Sequence, residues 1–406
     1  MSGYLLDWGS LLVRWLHVIT GIAWIGSSFY FVWLDNHLLP PERPDGETGV
    51  AGELWAVHGG GFYRARKYQV APAILPRTLH WFYWEAYSTW LSGAALLSLL
   101  YFFQADAYLI DPSVRMLSPA AAVTIAIGIL IGSWLVYDAL CRSALGRSNV
   151  KLGIAVTLLA CVLAWGVCAL FSGRGAFIMF GAAIGTIMVA NVFFVIIPGQ
   201  RELVRARQEG REVDPAPGLR GKQRSVHNTY FTLPVLFVMI SNHYAMTYGA
   251  HDNWLVLIAM SFAGVCIRAW FVARHKPAGR AGIASLLLLI MGLLALLIAI
   301  IGLYPDNPAL AAGAEPVTAA QAEAILDQRC VPCHSHSPTQ PGFSAPPNGL
   351  VLNSPAQLRA HLPDVRQQLT LRTMPLGNLT GMTEMERARL LQWIGQGAQS
   401  DAHAHL

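Results

Sequence analysis

Cys330-Val-Pro-Cys333-His334 is the segment of this chain whose residue types and spacing most clearly specify chemistry. Two thiols at this spacing at the end of a helix can add to the two vinyl groups of one porphyrin. The adjacent imidazole is then held below the iron, which is how a c-type haem is attached. Chance composition would produce such a C-x-x-C-H run on the order of 0.003 times in a chain of this length. The same spacing also suits a thioredoxin-like redox pair or half of a zinc site. A zinc site asks for a second Cys/His pair, and the nearby His336 has no matching partner. A haem iron needs a sixth ligand. Met374, in Arg372-Thr-Met374-Pro375, is a loop methionine fixed by the following proline, and Met/His ligation raises the potential. Met382 and Met385 are rivals at or inside the start of the last helix, and Trp393 on that helix is expected to pack in the tail's core.

A second group consists of ionisable residues inside apolar runs, where their cost makes them functional candidates. His17 and His243 fall at similar depth near one face and are candidate iron ligands for a haem b; the alternative is two histidines in an interfacial aromatic belt. Toward the other face lie His80, Glu85, Asp138, Asn191, His227 and Arg268. These are expected to surround a polar, anionic substrate. Alternatively, His80 and His227 hold a second haem, or the set is an ion-pair network between helices. The segment His58-Gly-Gly-Gly-Phe-Tyr63 is either a flap over this site or a flexible turn.

Positioning these groups falls to elements that are mostly apolar. Of 406 residues, 54% are hydrophobic and 13% charged, against about 25% charged in an ordinary soluble domain. The mean hydropathy is +0.43. These values exclude a soluble enzyme, a disordered chain and a nucleic-acid binder. Eight runs are long enough to cross a bilayer, which takes about 20 residues: 10–34, 78–103, 119–141, 151–172, 176–198, 228–248, 252–273 and 281–304. The last is apolar all round and is expected to face lipid. No cleavage site follows the first run, which is therefore expected to stay in the membrane. Cys141, Cys161, Cys168 and Cys266 read as buried small hydrophobes.

Alternate loops are basic: Arg43, Arg64, Arg66, Lys67 and Arg77; Arg142, Arg147 and Lys151; seven residues from Arg201 to Arg224; Arg274, Lys276 and Arg280. The intervening loops hold only Arg115, only Arg174, and none. The positive-inside rule puts the basic loops in the cytoplasm and both termini outside. Covalent haem attachment in bacteria also occurs outside the cytoplasmic membrane, which gives a multi-pass inner-membrane protein with a periplasmic tail. The expected fold is all-α: an eight-helix transmembrane bundle over 1–304, a linker over 305–318, and a small all-α cytochrome c-like domain over 319–406. The tail is read as helices at 319–329, 355–370 and 383–396, the last opened by a Thr383/Glu386 capping box. So small a core suggests that a cofactor completes it.

Several stretches resemble the bacterial membrane-bound, cytochrome c-linked urate oxidase (urate hydroxylase) family. They are Trp15-Leu-His17-Val-Ile-Thr-Gly-Ile-Ala-Trp24-Ile-Gly-Ser, His58-Gly-Gly-Gly-Phe-Tyr63, Leu79-His80-Trp-Phe-Tyr-Trp-Glu85-Ala-Tyr, Val226-His227 through Pro234 to His243, and the Cys330–His334 tail. The resemblance spans essentially the whole chain. It implies oxidation of urate to 5-hydroxyisourate in purine breakdown, with electrons leaving through a fused cytochrome to a soluble cytochrome c or a terminal oxidase. On that reading His80 or Glu85 is a candidate base and Arg268 offsets the substrate's charge. A quinol–cytochrome c oxidoreductase, or a purine-anion transporter with a regulatory cytochrome, are the alternatives; no clear inverted repeat supports the last.

Overall fold

The computed structural model describes residues 2–41, 49–274, 282–302, 316–341, 343 and 345–398. Arg43, Lys276, Arg280, most of the expected linker and the end of the tail lie outside the described residues.

Each of the eight apolar runs builds a helix, though with shifted ends. Helix α1 is Ser2–His37. Helix α2, Trp84–Leu97, continues through a π turn at Ser98–Phe102, and a short α3, Ala105–Tyr108, follows. Next come α4, Pro119–Arg142, and α5, Asn149–Cys168, capped by the Ser118 and Ser148 side chains. Helix α6, Gly173–Asn191, passes through a second π turn at Val192–Ile196 into α7, Ile197–Gln208. Pro198 explains that π turn: it cannot donate to the helix ladder and its ring crowds the carbonyl four residues back, so the helix widens and continues. Helix α8 is Ala216–Ser241, α9 Ala245–Tyr248, α10 Asn253–Arg274 and α11 Gly282–Gly302.

Among the described residues six helices are long and apolar enough to cross a membrane: α1, α4, α5, the joined α6–α7, α10 and α11. This is a polytopic helical membrane protein. The α part of α2 is only 14 residues, and α8 begins with Arg220, Lys222 and Arg224, so neither meets that standard alone. Helix α6 is the centre. Phe177, Met179, Phe180, Ile184 and Met188 pack there with Leu97, Tyr101, Ala126, Val167, Phe171, Val238 and Leu257. Helix α11 carries Ile283, Leu286, Leu287, Leu294, Ile298 and Ile301 exposed, as its uniform apolarity predicts.

Two expectations need correction. The 35–77 loop holds a β-hairpin, with β1 Val50–His58 antiparallel to β2 Gly61–Tyr68 and His58 opposite Gly61. The two-residue connection Gly59-Gly60 has φ of +57° and +80°, which a type I′ turn requires at both positions. Arg64 and Arg66 converge on the buried Glu53. The Gly run is thus a hairpin turn, and the strands rest on Leu38 and Leu39 at the end of α1. Second, His80 precedes α2 instead of lying on it. The chain from Gln69 to Tyr83 contains Pro72 and Pro76 and stays irregular.

The tail packs α12, Ala319–Arg329, and α15, Glu384–Gly395, each opened by a complete capping box, Thr318/Gln321 and Thr383/Glu386. The expected 355–370 helix is broken into α13, Pro355–Ala360, and α14, Leu362–Thr370. The break falls at His361, two residues before Pro363, whose ring nitrogen cannot donate to a carbonyl of the preceding turn and which suits the start of a new helix. Ile325, Leu326, Leu352, Leu358, Leu369, Leu390 and Trp393 form its core. The tail rests on the end of the bundle that carries α3 and α9: Gly249 lies against the Leu371 carbonyl, and a Cβ on Gly377 would come 2.6 Å from the Ala107 carbonyl.

Candidate functional site

At the end of the bundle away from the tail, α4, α6 and α8 assemble a continuous polar network. The Asp138 carboxylate receives Arg142 Nε at 2.6 Å and Arg224 Nη2 at 2.6 Å. Arg224 has a side chain only 4% exposed, and its guanidinium lies 4.9 Å over the Tyr137 ring. The Tyr137 hydroxyl accepts from Asn191 Nδ2 at 3.2 Å and lies 2.7 Å from His227 Nδ1. The direction of the Tyr137–His227 hydrogen bond follows the imidazole tautomer: Nδ1–H donates to the hydroxyl, or neutral Nδ1 accepts from it. Asn191 Nδ2 also donates to Asn228 Oδ1 at 3.0 Å, and Asn228 Nδ2 to the Met188 carbonyl at 2.9 Å. Arg224, His227 and Asn228 share one face of α8 at i, i+3 and i+4.

Asp138, Asn191 and His227 are therefore brought together as the sequence suggested. Tyr137, Arg224 and Asn228 complete the set and were missed. The available signal was the helical spacing of Arg224 with His227, hidden by reading 199–227 as a loop. Two polar atoms of the network, Arg224 Nη1 and Asn191 Oδ1, are buried with no hydrogen-bond partner.

The other expected inner residues sit apart, and no described contact joins them to this network. Glu85 is on the first turn of α2, with Oε2 buried and unpartnered. Arg268 on α10 is buried, its guanidinium 3.6 Å from the Phe29 ring centre, with Nε and Nη2 unpartnered. His80 is exposed and packs edge-on to Phe82. His17 is engaged elsewhere: its Nδ1 lies 3.0 Å from the Thr89 carbonyl and 3.1 Å from Ser92 Oγ, and its ring covers Gly93, where a Cβ would come within 2.9 Å. His243 lies beyond the last residue of α8 and is exposed. His17 is hydrogen-bonded to α2 and His227 to Tyr137, and no described contact joins His17 to His243 or His80 to His227.

In the tail, the last turn of α12 winds directly into the cysteine segment. Cys330 N–H donates to the Leu326 carbonyl at 2.8 Å and His334 N–H to the Cys330 carbonyl at 2.9 Å. His334 Nδ1 donates to the Leu350 carbonyl at 3.1 Å, which leaves Nε2 free as a metal ligand. Both thiols are unpaired. Burial pushes Cys330 up to about 12 and raises Cys333 as well; a thioredoxin-type pair needs the opposite shift. A zinc site finds no support either, since no cluster of three or more His, Cys, Asp or Glu side chains occurs among the described residues. Met374 is half-buried in the loop before α15, its carbonyl held by Arg387 at 2.8 Å. Met382 is 3% exposed inside the hydrophobic core and Met385 is 66% exposed. Trp393 packs in the core as expected, but its Nε1 is buried without a partner. An imidazole oriented with Nε2 free, two free thiols beside it, a loop thioether and an orphaned indole N–H are a donor set that fits a covalently held haem.

A family model described as Urate oxidase N-terminal matches residues 3–301. No curated protein and no solved structure matches the chain. The matched residues are the whole membrane bundle, network included, and make up most of the chain. The chain accordingly belongs to the urate oxidase N-terminal family.

Proposed function

We propose that this protein oxidises urate to 5-hydroxyisourate and delivers the electrons through a cytochrome c tail to an external carrier, a soluble cytochrome c or a terminal oxidase. The observation that carries this reading is the His334 imidazole, tied at Nδ1 and flanked by two free thiols, in a chain whose bundle is of the urate oxidase N-terminal family. The overall change is urate plus water giving 5-hydroxyisourate, two electrons and two protons. A haem c held by Cys330, Cys333, His334 and Met374 supplies a one-electron acceptor outside the lipid. The charge pattern of the loops supports a bacterial inner-membrane protein whose tail is periplasmic and whose basic end is cytoplasmic.

The chain's own residues then have separate tasks. Two protons must leave the substrate and water. His227, bonded to the Tyr137 hydroxyl, and Glu85, with one buried unpartnered oxygen, are the groups able to take them. Arg268 holds unpartnered N–H groups elsewhere in the bundle and lies apart from this network. His80 is exposed beside Phe82, outside this buried set.

Anaerobic mixing of urate with the oxidised full-length protein tests the reading. Half an equivalent of urate per chain should fully reduce the haem c band. Reduction by a quinol but not by urate would make this a quinol–cytochrome c oxidoreductase; reduction by neither would leave a transporter.

A further inference from the structure

Next to the polar network, the ends of α4 and α8 and the π turn before α7 line a half-open cavity of about 700 Å³. That lies within the 300–1,000 Å³ range of small-molecule sites. One wall is apolar and built from Phe194, Val195 and Pro198 of the widened helix, with Pro217 and Leu219 opposite. Four arginines also line it: Arg142, Arg147, Arg220 and Arg224. The acids do not balance them. Asp138 alone serves both Arg142 and Arg224, and Glu202, the acid lining the cavity, is engaged by Arg205 and Arg211. Arg147 and Arg220 are exposed at the rim and have no acidic partner among the described residues.

Arg224 is the deciding residue. It is 4% exposed, it lines the cavity, and its Nη1 is buried without any partner, while Nη2 is used by Asp138. A buried N–H of a charged group left unmade is expensive, and an anionic oxygen beside it removes that cost. We infer that this cavity is the binding site for the substrate's anion, taking a planar, singly charged heterocycle with Arg224 gripping its oxygen and the apolar wall covering its face. The inference rests on the urate reading above and gives it a location. A ligand held at Arg224 is three residues, one helical turn, from His227, and lies beside the Tyr137 ring on which the guanidinium stacks. Binding and proton removal are thereby adjacent. The rim arginines draw the anion from the cytoplasm and do not touch the reacting atoms.

The test uses holoprotein in phosphatidylcholine nanodiscs and two readouts: equilibrium dialysis of radiolabelled urate under anaerobic, oxidised conditions, and the KM and kcat of urate-driven haem c reduction. Arg224→Gln should weaken urate binding about tenfold or more, with Arg224→Lys restoring part of it. Because Arg224 also neutralises Asp138, its loss could prevent folding. The rim pair Arg147→Gln/Arg220→Gln, both exposed, therefore provides an independent arm. It should raise KM roughly threefold to tenfold, leave kcat unchanged and flatten the salt dependence of KM. Arg115→Gln, in the opposite loop, should alter nothing. Wild-type protein that neither binds urate nor is reduced by it would overturn the functional reading itself. Wild-type protein that is reduced by urate, with unchanged dissociation constant and KM in the rim pair and in any folded Arg224 variant, would overturn the cavity alone. Loss of urate binding when phosphatidylglycerol replaces part of the phosphatidylcholine, with urate-driven haem c reduction unchanged, would make this a lipid-headgroup site and also overturn the inference.

Discussion

Replacing Asp138 by Asn isolates the charge balance on which the polar network depends. The carboxylate is 2.6 Å from both Arg142 Nε and Arg224 Nη2, but the two partners differ in exposure: 68% for the Arg142 side chain and 4% for that of Arg224. The contact to Arg142 is a surface pair, worth about 0–1 kcal/mol. The contact to Arg224 is buried, and removing one partner strands a guanidinium at a cost of about 3–5 kcal/mol. At roughly 2–4 °C per kcal/mol for a sizeable domain, taken at the low end for a bundle of this length, Asp138→Asn should lower the unfolding midpoint by about 6–10 °C. Arg142→Gln should lower it by no more than about 2 °C. The assay is tryptophan fluorescence of detergent-solubilised full-length protein at one fixed heating rate, since unfolding of such a chain is under kinetic control. The double variant Asp138→Leu/Arg224→Met removes both charges and should recover most of the loss. Urate should raise the midpoint of the Asp138→Asn protein, because the anion replaces the missing counter-charge. If Asp138→Asn fell no further than Arg142→Gln, Arg224 would not be the dehydrated cation described here.

In the tail, Met374→Ala should abolish the Met–iron charge-transfer band while covalent haem persists; an unchanged band would transfer the ligand role to Met382. A pyridine haemochrome of the intact protein should show c type; a b-type component beside it would supply a carrier between the cavity and the tail, and a protein without the c-type signal would refute the haem of the tail. Gly249→Val forces a side chain into the Leu371 carbonyl. It should loosen the seat of the tail, seen as faster protease release of the tail from the bundle; equal release rates would contradict that seat. Glu386 is opposed by burial, but hydrogen bonds from Arg329 at 2.9 Å and from Thr383 N–H at 2.7 Å outweigh it and hold its carboxyl below the usual range. Such a depressed group stabilises the fold fully above the unfolded value of about 4.3 and loses that contribution as pH falls through the lower folded value. Glu386→Gln should therefore lower the tail's melting temperature at pH 7 and narrow its difference from wild type below about pH 4; a constant difference across that range would refute the assignment.

Local signals were readable wherever one segment carries its own instructions. The Thr383/Glu386 capping box forms as its three-residue spacing demands, and α11 is exposed as its uniform apolarity demands. The hairpin was readable too, from two glycines between strand-like runs, but the basic character of that loop obscured it. Helix ends were harder. The apolar run ends at Pro198, yet the π turn absorbs the proline and carries the helix on to Gln208. Arg220, Lys222 and Arg224 looked like a loop, yet they open α8. Depth alone says little of a histidine's neighbours: the rotation of α1 brings His17 Nδ1 to Thr89 and Ser92 of α2.

What the amino-acid order determined by itself is a membrane bundle with a basic end, and a short tail bearing two thiols and an imidazole at haem-binding spacing. These follow from transfer free energies and local backbone geometry, which act within a few turns of chain. Only the packed structure decided which polar groups meet. Arg224 reaches Asp138 across 86 positions, and Tyr137 reaches His227 across 90. Such pairings depend on how helices rotate and lean against α6, and that is set by the summed contacts of the whole core.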